Sequence, residues 1–341
     1  MGVEWSTGTL PECEQLIEYN ISMISVKNLT KVYKTPVKSD NIIQDFFHPT
    51  YKSYTAVKDI SFEIGENELI GFIGPNGAGK TTTLKMLSGI LFPTKGSIDI
   101  LGYTPFDKDP KFLKQIGFVM GQKNQLLWDL PAMDTFRVNK EIYDIEDKEF
   151  KKTVHELMEM LDVKSFIDQP VKTLSLGQRM RTELIASLLH KPKILFLDEP
   201  TIGLDIFAQS AIRNFIQQYQ QQYRSTIILT SHYMQDVQQL AKRVILIDKG
   251  TVVYDDALDK LIEKYSQEKT ITITLDKKLE ELPSVIKKYD HEYIEPELKV
   301  SVKKNDLPKF MSQVLEQLDY SDVTIENETI EDVIKKSFKK S

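Results

Sequence analysis

Apolar and polar residues change rhythm several times along this chain, and each rhythm predicts an element. A strand-like run opens at Met23 in "MISVKNLTKVY". From Ala56, "AVKDISFEI" alternates as a half-buried strand does. "ELIGFIG", ending at Gly74, is continuously apolar, which suits a strand covered on both faces. "KILFLDE" and "STIILTSH", ending at Glu199 and His232, repeat that texture. Between these runs the period lengthens. "TTTLKMLSGIL" reads as a helix, and Val154, Leu157, Met158 and Leu161 fall on one helical face, with the methionines there as core filler. Strands alternating with helices predict a parallel α/β sheet.

Two stretches depart from this alternation. Residues 34–55, with Pro36 and Pro49 among mixed polar residues, read as a loop inserted between the first two strands. Beyond about residue 260 the elements become short. "KTITITL", "ELKVSV" and "DVTIEN" read as strands, "KKLEELPSVIKKY" and "DLPKFMSQVLEQL" as helices, and "TIEDVIKKSF" as a closing helix with Thr329 as its cap. This pattern predicts a small separate α/β domain of the βαββαβ kind.

Composition narrows the class. Hydrophobic residues make up 41% of the 341, enough for a full core. A net charge of −6 gives no support for binding nucleic acid through bulk charge. No apolar run approaches the roughly 18 to 20 residues that span a bilayer. The first residues, "MGVEWSTGTLPECEQ", have neither a basic start nor an apolar signal core. Cys13 is the single cysteine, so no internal disulfide forms. A soluble, cytoplasmic protein is expected.

The chemistry concentrates at Gly74–Thr81, "GPNGAGKT", which fits G-x-x-x-x-G-K-[ST] between a strand and a helix. Glycines let successive backbone N–H groups approach an anion, and the following helix adds its positive N-terminal end. In such a loop Lys80 bridges β- and γ-phosphates, and the Thr81 hydroxyl ligates Mg²⁺. Asp198, at the end of a buried strand, can hold the water shell of that ion, and Glu199 can polarise an attacking water. His232 follows another such strand, on the sheet edge where open α/β sheets bind ligands.

Together with "LSLGQ" (174–178), "ILFLDEP" (194–200) and "IGLD" (202–205), these motifs resemble, in the same order, the ATP-binding subunits of ABC transporters. The resemblance covers about residues 23–255. It implies a P-loop NTPase core of the ABC type with a parallel sheet and an inserted helical subdomain at about 123–180. An N-terminal extension (1–22) would precede this core, and a small ferredoxin-like α/β domain (256–341) would follow it. It also implies an ATPase working as a head-to-tail dimer with ATP and Mg²⁺ at the interface. Gly74, Asn76, Gly77, Gly79, Lys80, Thr81 and Thr82 of one subunit would hold each nucleotide, together with Ser175, Gly177 and Gln178 of the other. Asp205 would cross the interface, His232 would contact the γ-phosphate and the attacking water, and Glu199 would be the general base. Asp198, Thr81 and Gln122 would serve the metal.

Some positions stay open. The glycine usual at the third position of the signature is Leu176 here, and its N–H remains useful provided that its φ is negative. "IGFVMGQKNQ" offers Gln122, with Gln125 as the alternative. Tyr33 matches the adenine-stacking position, and Tyr51 and Tyr54 compete with it.

The partners implied are integral-membrane permease subunits and a second ATPase subunit, most simply another copy, at the cytoplasmic face of the membrane. The C-terminal run "VTIENETIEDVIKKSF" resembles subunits of ABC-2-type exporters. The alternative is a soluble ABC ATPase acting on ribosomes or DNA. Neither a second motif set nor a long coiled-coil insertion is visible to support it. Ile42, Ile43 and Phe46, with Phe47 at the margin, fit one face of a short helix with Lys34, Lys38 and Lys52 around it. That face either packs on its own sheet or touches the membrane partner or lipid headgroups.

Overall fold

The computed structural model describes residues 22–37, 50–121, 123–265, 268–279, 281–327, 331 and 334. Along the chain run β1 (Ile24–Val37), β2 (Thr50–Ile64), β3 (Leu69–Ile73), α1 (Lys80–Leu87), β4 (Lys95–Ile100), α2 (Pro110–Leu113) and β5 (Ile116–Met120). Next come α3 (Ala132–Ile142), α4 (Asp147–Met160), α5 (Leu176–Leu188), β6 (Ile194–Asp198), α6 (Ile206–Tyr223), β7 (Thr226–Thr230), α7 (Met234–Leu240), β8 (Arg243–Asp248) and β9 (Thr251–Ala257). The last elements are α8 (Leu258–Tyr265), β10 (Glu268–Leu275), β11 (Asp290–Ile294), β12 (Glu297–Lys303), α9 (Leu307–Leu315) and β13 (Tyr320–Asn327).

The central sheet has the order β5-β6-β7-β3-β8-β9. Its neighbours pair in parallel except β9, which runs antiparallel to β8. The continuous apolar runs have a direct structural cause, because both faces of this sheet are covered. On one face Leu69 and Ile73 of β3, Leu195 and Leu197 of β6, and Val244 and Leu246 of β8 join a core with the helices. On the other, Ile70, Phe72, Ile194, Phe196, Ile245 and Ile247 join a second core. That second core is roofed by a three-stranded antiparallel sheet of order β2-β1-β4. Each fully buried side chain of this size contributes about 1.5–3 kcal/mol. All five residues of β3 are buried, so the strand leading into Gly74 is held firmly from both sides.

The loop expected at 34–55 is shorter than its sequence suggests. β1 and β2 stay paired out to Val37 opposite Thr50, so 34–37 and 50–55 are strand. Pro36 is tolerated because the pairing of β1 with β4 ends at Thr30 and Lys95, leaving β1 one free side there. Thr50, Tyr51, Tyr54 and Thr55 are residue types that favour strands. Lys38, Ile42, Ile43, Phe46 and Phe47 lie outside the described residues, as do residues 1–21 with Cys13.

The last four strands form an antiparallel sheet of order β11-β12-β10-β13 over a third core that includes Ile271, Ile273, Val300 and Phe310. With α9 between β12 and β13, this is the ferredoxin-like arrangement expected. Two details differ from expectation. The helix predicted over "KKLEELPSVIKKY" is reduced to a single 3₁₀ turn at Ile286–Lys288, because Pro283 removes a donor and clashes with a preceding helical turn. β11, "DHEYI", is an additional strand whose polar residues hid it; it lies at the edge of the sheet, where few side chains need covering. Thr329 and most of the closing helix predicted after it fall outside the described residues.

Candidate active site

The carboxyl ends of β3, β6 and β7 are neighbours in the sheet, and the chemistry-bearing residues sit there. Gly74 leaves β3 so close to β8 that a Cβ would lie 2.1 Å from the Ile247 carbonyl oxygen. Gly79, the N-cap of α1, has φ of 110°, and its Cβ would lie 2.6 Å from the Ala56 carbonyl oxygen. Side chains at these two positions would therefore block the turn itself. No side chain caps α1, so its first N–H groups remain available.

Lys80 is buried, and its Nζ donates to the carbonyls of Gly74 at 2.7 Å and Pro75 at 3.1 Å. Burial pushes its ammonium below the ordinary lysine value, an effect offset in part by the negative charges of Glu199 and Asp198. The Thr81 hydroxyl donates to Asp198 Oδ1 at 3.0 Å, and the buried Thr230 hydroxyl donates to the same oxygen at 2.8 Å. Glu199 has φ of 57°, an uncommon conformation for a non-glycine residue and one that costs on the order of 1 kcal/mol or more. Its N–H reaches Thr230, through both the carbonyl and the hydroxyl, at 3.1 Å. Its Oε1 meets His232 Nε2 at 2.6 Å, while Oε2 is buried without a hydrogen-bond partner among the described residues. A strained backbone and an unsatisfied carboxylate oxygen thus coincide at one residue beside the phosphate loop.

A buried carboxylate holds these segments in place. Asp236, fully buried on α7, pairs with Arg213 of α6 at 2.9 Å. Its other oxygen accepts the hydroxyls of Thr201 at 2.5 Å and Ser231 at 2.6 Å. Thr201 lies two residues beyond Glu199, and Ser231 is next to His232. Nothing in the spacing of the sequence announces Asp236 or Thr230 as part of this site; only the fold brings them in.

Beside the loop lies a cavity of about 200 Å³ lined by Tyr33, Tyr54, Asn76, Gly77, Thr82 and Glu199 among others. Strand register decides among the tyrosines. Tyr33 pairs directly with Tyr54, so the two share a face, and the Tyr54 hydroxyl reaches the Gly77 carbonyl at 3.3 Å. Tyr51, three residues from Tyr54, points to the opposite face of the pleat.

The signature residues stand apart from this cluster. Ser175 is the exposed N-cap of α5 and forms a complete capping box with Gln178, at 3.2 and 2.9 Å. Leu176 lies in the first helical turn and is not among the positive-φ residues, so the condition for its N–H is met. Its side chain packs toward Gly203. Gly177 backs onto Ala208, where a Cβ would approach to 3.1 Å. Asp205 caps α6 through the Ala208 N–H at 2.9 Å. Gln122 lies outside the described residues. Gln125 turns back, its Nε2 donating to the Phe118 carbonyl at 2.9 Å.

The sequence model of the family described as ABC transporter matches residues 57–202. The ABC transporter ATP-binding protein NatA of Bacillus subtilis (strain 168) is 33% identical over 222 residues, 65% of this chain and 90% of that protein. The linearmycin resistance ATP-binding protein LnrL of the same organism is 32% identical over 225 residues, 66% of this chain and 72% of that protein. A solved dimeric structure of MJ0796, a bacterial ABC transporter cassette, superposes with a TM-score of 0.59 at 25% identity, covering 69% of this chain and 99% of that one. The chain belongs to the ABC transporter ATP-binding family: it binds ATP and is an ATPase. Among the described residues no helix is long and apolar enough to cross a membrane.

Proposed function

We propose that this chain powers an ABC exporter, as one of two ATPase subunits that close head to tail on ATP at the cytoplasmic face of a membrane, coupled to separate permease subunits. The observation that carries this reading is a division within the chain. One set of groups, Lys80, Thr81, Asp198, Glu199 and His232, converges on one place, whereas Ser175 and Gly177 open α5 at an exposed helix start. Two adjacent apolar residues beside Asp205, Ile206 and Phe207, are 76% and 87% exposed, which suits a surface that a second subunit covers. The export direction draws on the likeness to a resistance protein.

In this reading the β- and γ-phosphates take over the ammonium of Lys80 and the free N–H groups of α1, and the adenine lies against Tyr33 with Tyr54 beside it. Thr81 and Asp198, whose side-chain oxygens meet at 3.0 Å, suit a hard cation, and Gln122 would be the further oxygen donor. Mg²⁺ held there would neutralise charge on the phosphates. Glu199 accepts the proton of the attacking water as its oxygen bonds to the γ-phosphorus, the bond to the bridging oxygen breaks, and ADP leaves. His232 orients Glu199 and the water. Ser175 and Gly177 of the partner supply the remaining donors, so hydrolysis waits for closure. Elution of Glu199→Gln with and without ATP tests this reading. A shift from monomer to dimer on adding ATP is expected; a monomer at every ATP concentration overturns it.

A further inference from the structure

The signature helix carries one buried acid that none of this uses. Glu183, in the third turn of α5, is 3% exposed. Its Oε1 accepts the backbone N–H of Gln125 at 2.8 Å, while Oε2 is buried with no hydrogen-bond partner among the described residues. It lines a cavity of about 340 Å³ between α5 and the loop that leaves β5, shared with Gly121, Asn124 and Ile202. The charged groups around that cavity are Arg179 of its own helix and Lys123 of the loop. Burial pushes the Glu183 carboxyl up to about 7.

A carboxyl group at that depth loses its hydration, so a compensating contact is needed. The contact found is with the backbone of one loop. At its start, Gly121 N–H donates to the Asp198 carbonyl at 2.9 Å, joining the loop to the strand end that carries Asp198 and Glu199. At its far end the Gln125 N–H is held by Glu183, eight residues along α5 from Ser175. The loop is therefore fastened at one end to this chain's own nucleotide site and at the other to the helix whose first turn bears Ser175.

We infer that Glu183 is a positioning residue that ties the loop after β5 to the signature helix, so that this chain's own ATP site and the donors it lends to its partner's site move together. The inference rests on the reading that Ser175 acts on the partner's nucleotide. Loss of the tie leaves the phosphate loop intact and misplaces groups for hydrolysis, a kind of error that costs about tenfold to a hundredfold in rate.

The test compares Glu183→Leu and Glu183→Gln in the full chain by steady-state ATPase kinetics, nucleotide binding and thermal melting. Glu183→Leu removes the acceptor; Glu183→Gln keeps one. Expected is a kcat at least about tenfold lower for Glu183→Leu, with ATP affinity within about twofold of the parent, and recovery of most of the rate in Glu183→Gln. A parental kcat in Glu183→Leu overturns the inference. So does an equal loss in both variants, or a loss of rate and nucleotide affinity together with a lowered melting temperature. Ser175→Arg separates the two ideas. If Ser175→Arg still hydrolyses ATP, the trans reading fails whatever Glu183 does. If it is inactive while Glu183→Leu is normal, only the role of Glu183 fails.

Discussion

Two helix starts in this protein carry the sequence features of anion sites, and they are built in opposite ways. α1 begins at Gly79 without a side-chain cap, behind a loop whose lysine is folded onto its own carbonyls. Around it stand Asp198 and Glu199 from the end of β6, and Thr230 and His232 from the end of β7. α5 begins at Ser175 with its capping box complete and Ser175 exposed. The first start leaves N–H groups open and surrounds them with chemistry from its own chain. The second is already stable as a helix, since the box satisfies two backbone donors that would otherwise be orphaned. Yet the Ser175 hydroxyl oxygen accepts from the Gln178 N–H, a role that leaves a hydroxyl its hydrogen to donate. The first start thus draws its neighbouring polar groups from its own chain, whereas the second presents Ser175 on the surface; in the proposed function each start completes the other's site across the subunit interface.

The largest effects should separate the two starts by rate and binding. Glu199→Gln is expected to keep nucleotide binding and lose about a hundredfold to ten-thousandfold in turnover, measured by phosphate release. Ser175→Arg should also abolish hydrolysis while leaving the ATP affinity of the isolated chain within about twofold. If the Ser175 variant loses binding outright, the two starts are not distinct and the comparison collapses. Next in size is the frame around the first start. Asp236→Ala leaves Arg213 buried and unpaired, so a loss of about 3–5 kcal/mol in urea unfolding is expected. A loss below about 1 kcal/mol would mean that the buried network does not hold Glu199 and His232 in place. The smallest effects fall on the base pocket. Tyr33→Ala should weaken ATP binding by about 1–2 kcal/mol through lost stacking. Tyr54→Phe, which removes one exposed hydroxyl contact, should cost about 0.5 kcal/mol. Calorimetric titration ranks them, and the reverse order would move the adenine from Tyr33 to Tyr54.

Much of the fold was legible because its causes are local. β3, β6 and β7 are continuous apolar runs, and a run of that kind has few uses other than a strand covered on both sides. The "GPNGAGKT" loop was legible because only glycine fits at Gly74 and Gly79, where backbone approaches backbone. The misreadings have local causes too. Proline in 34–55 suggested a loop, but Pro36 sits where β1 has lost one neighbour and needs no donor. The run "KKLEELPSVIKKY" reads as a helix, but with Pro283 inside it a single 3₁₀ turn at Ile286–Lys288 forms. β11 was hidden because an edge strand with polar alternation carries little signal.

Residues adjacent in the chain are enough to read the strands of the parallel core, the phosphate loop and the carboxylate pair that closes β6, and the order of such local motifs along the chain is enough to read the family. Tertiary structure alone decided that Tyr54 rather than Tyr51 shares a face with Tyr33, since pleat and register across two strands set that. It alone brought Asp236 under both Thr201 and Ser231, and Glu183 against Gln125. Asp236 meets Thr201 across 35 residues and Glu183 meets Gln125 across 58, contacts made favourable by burial, and burial is a property of the packed chain that no window of sequence contains.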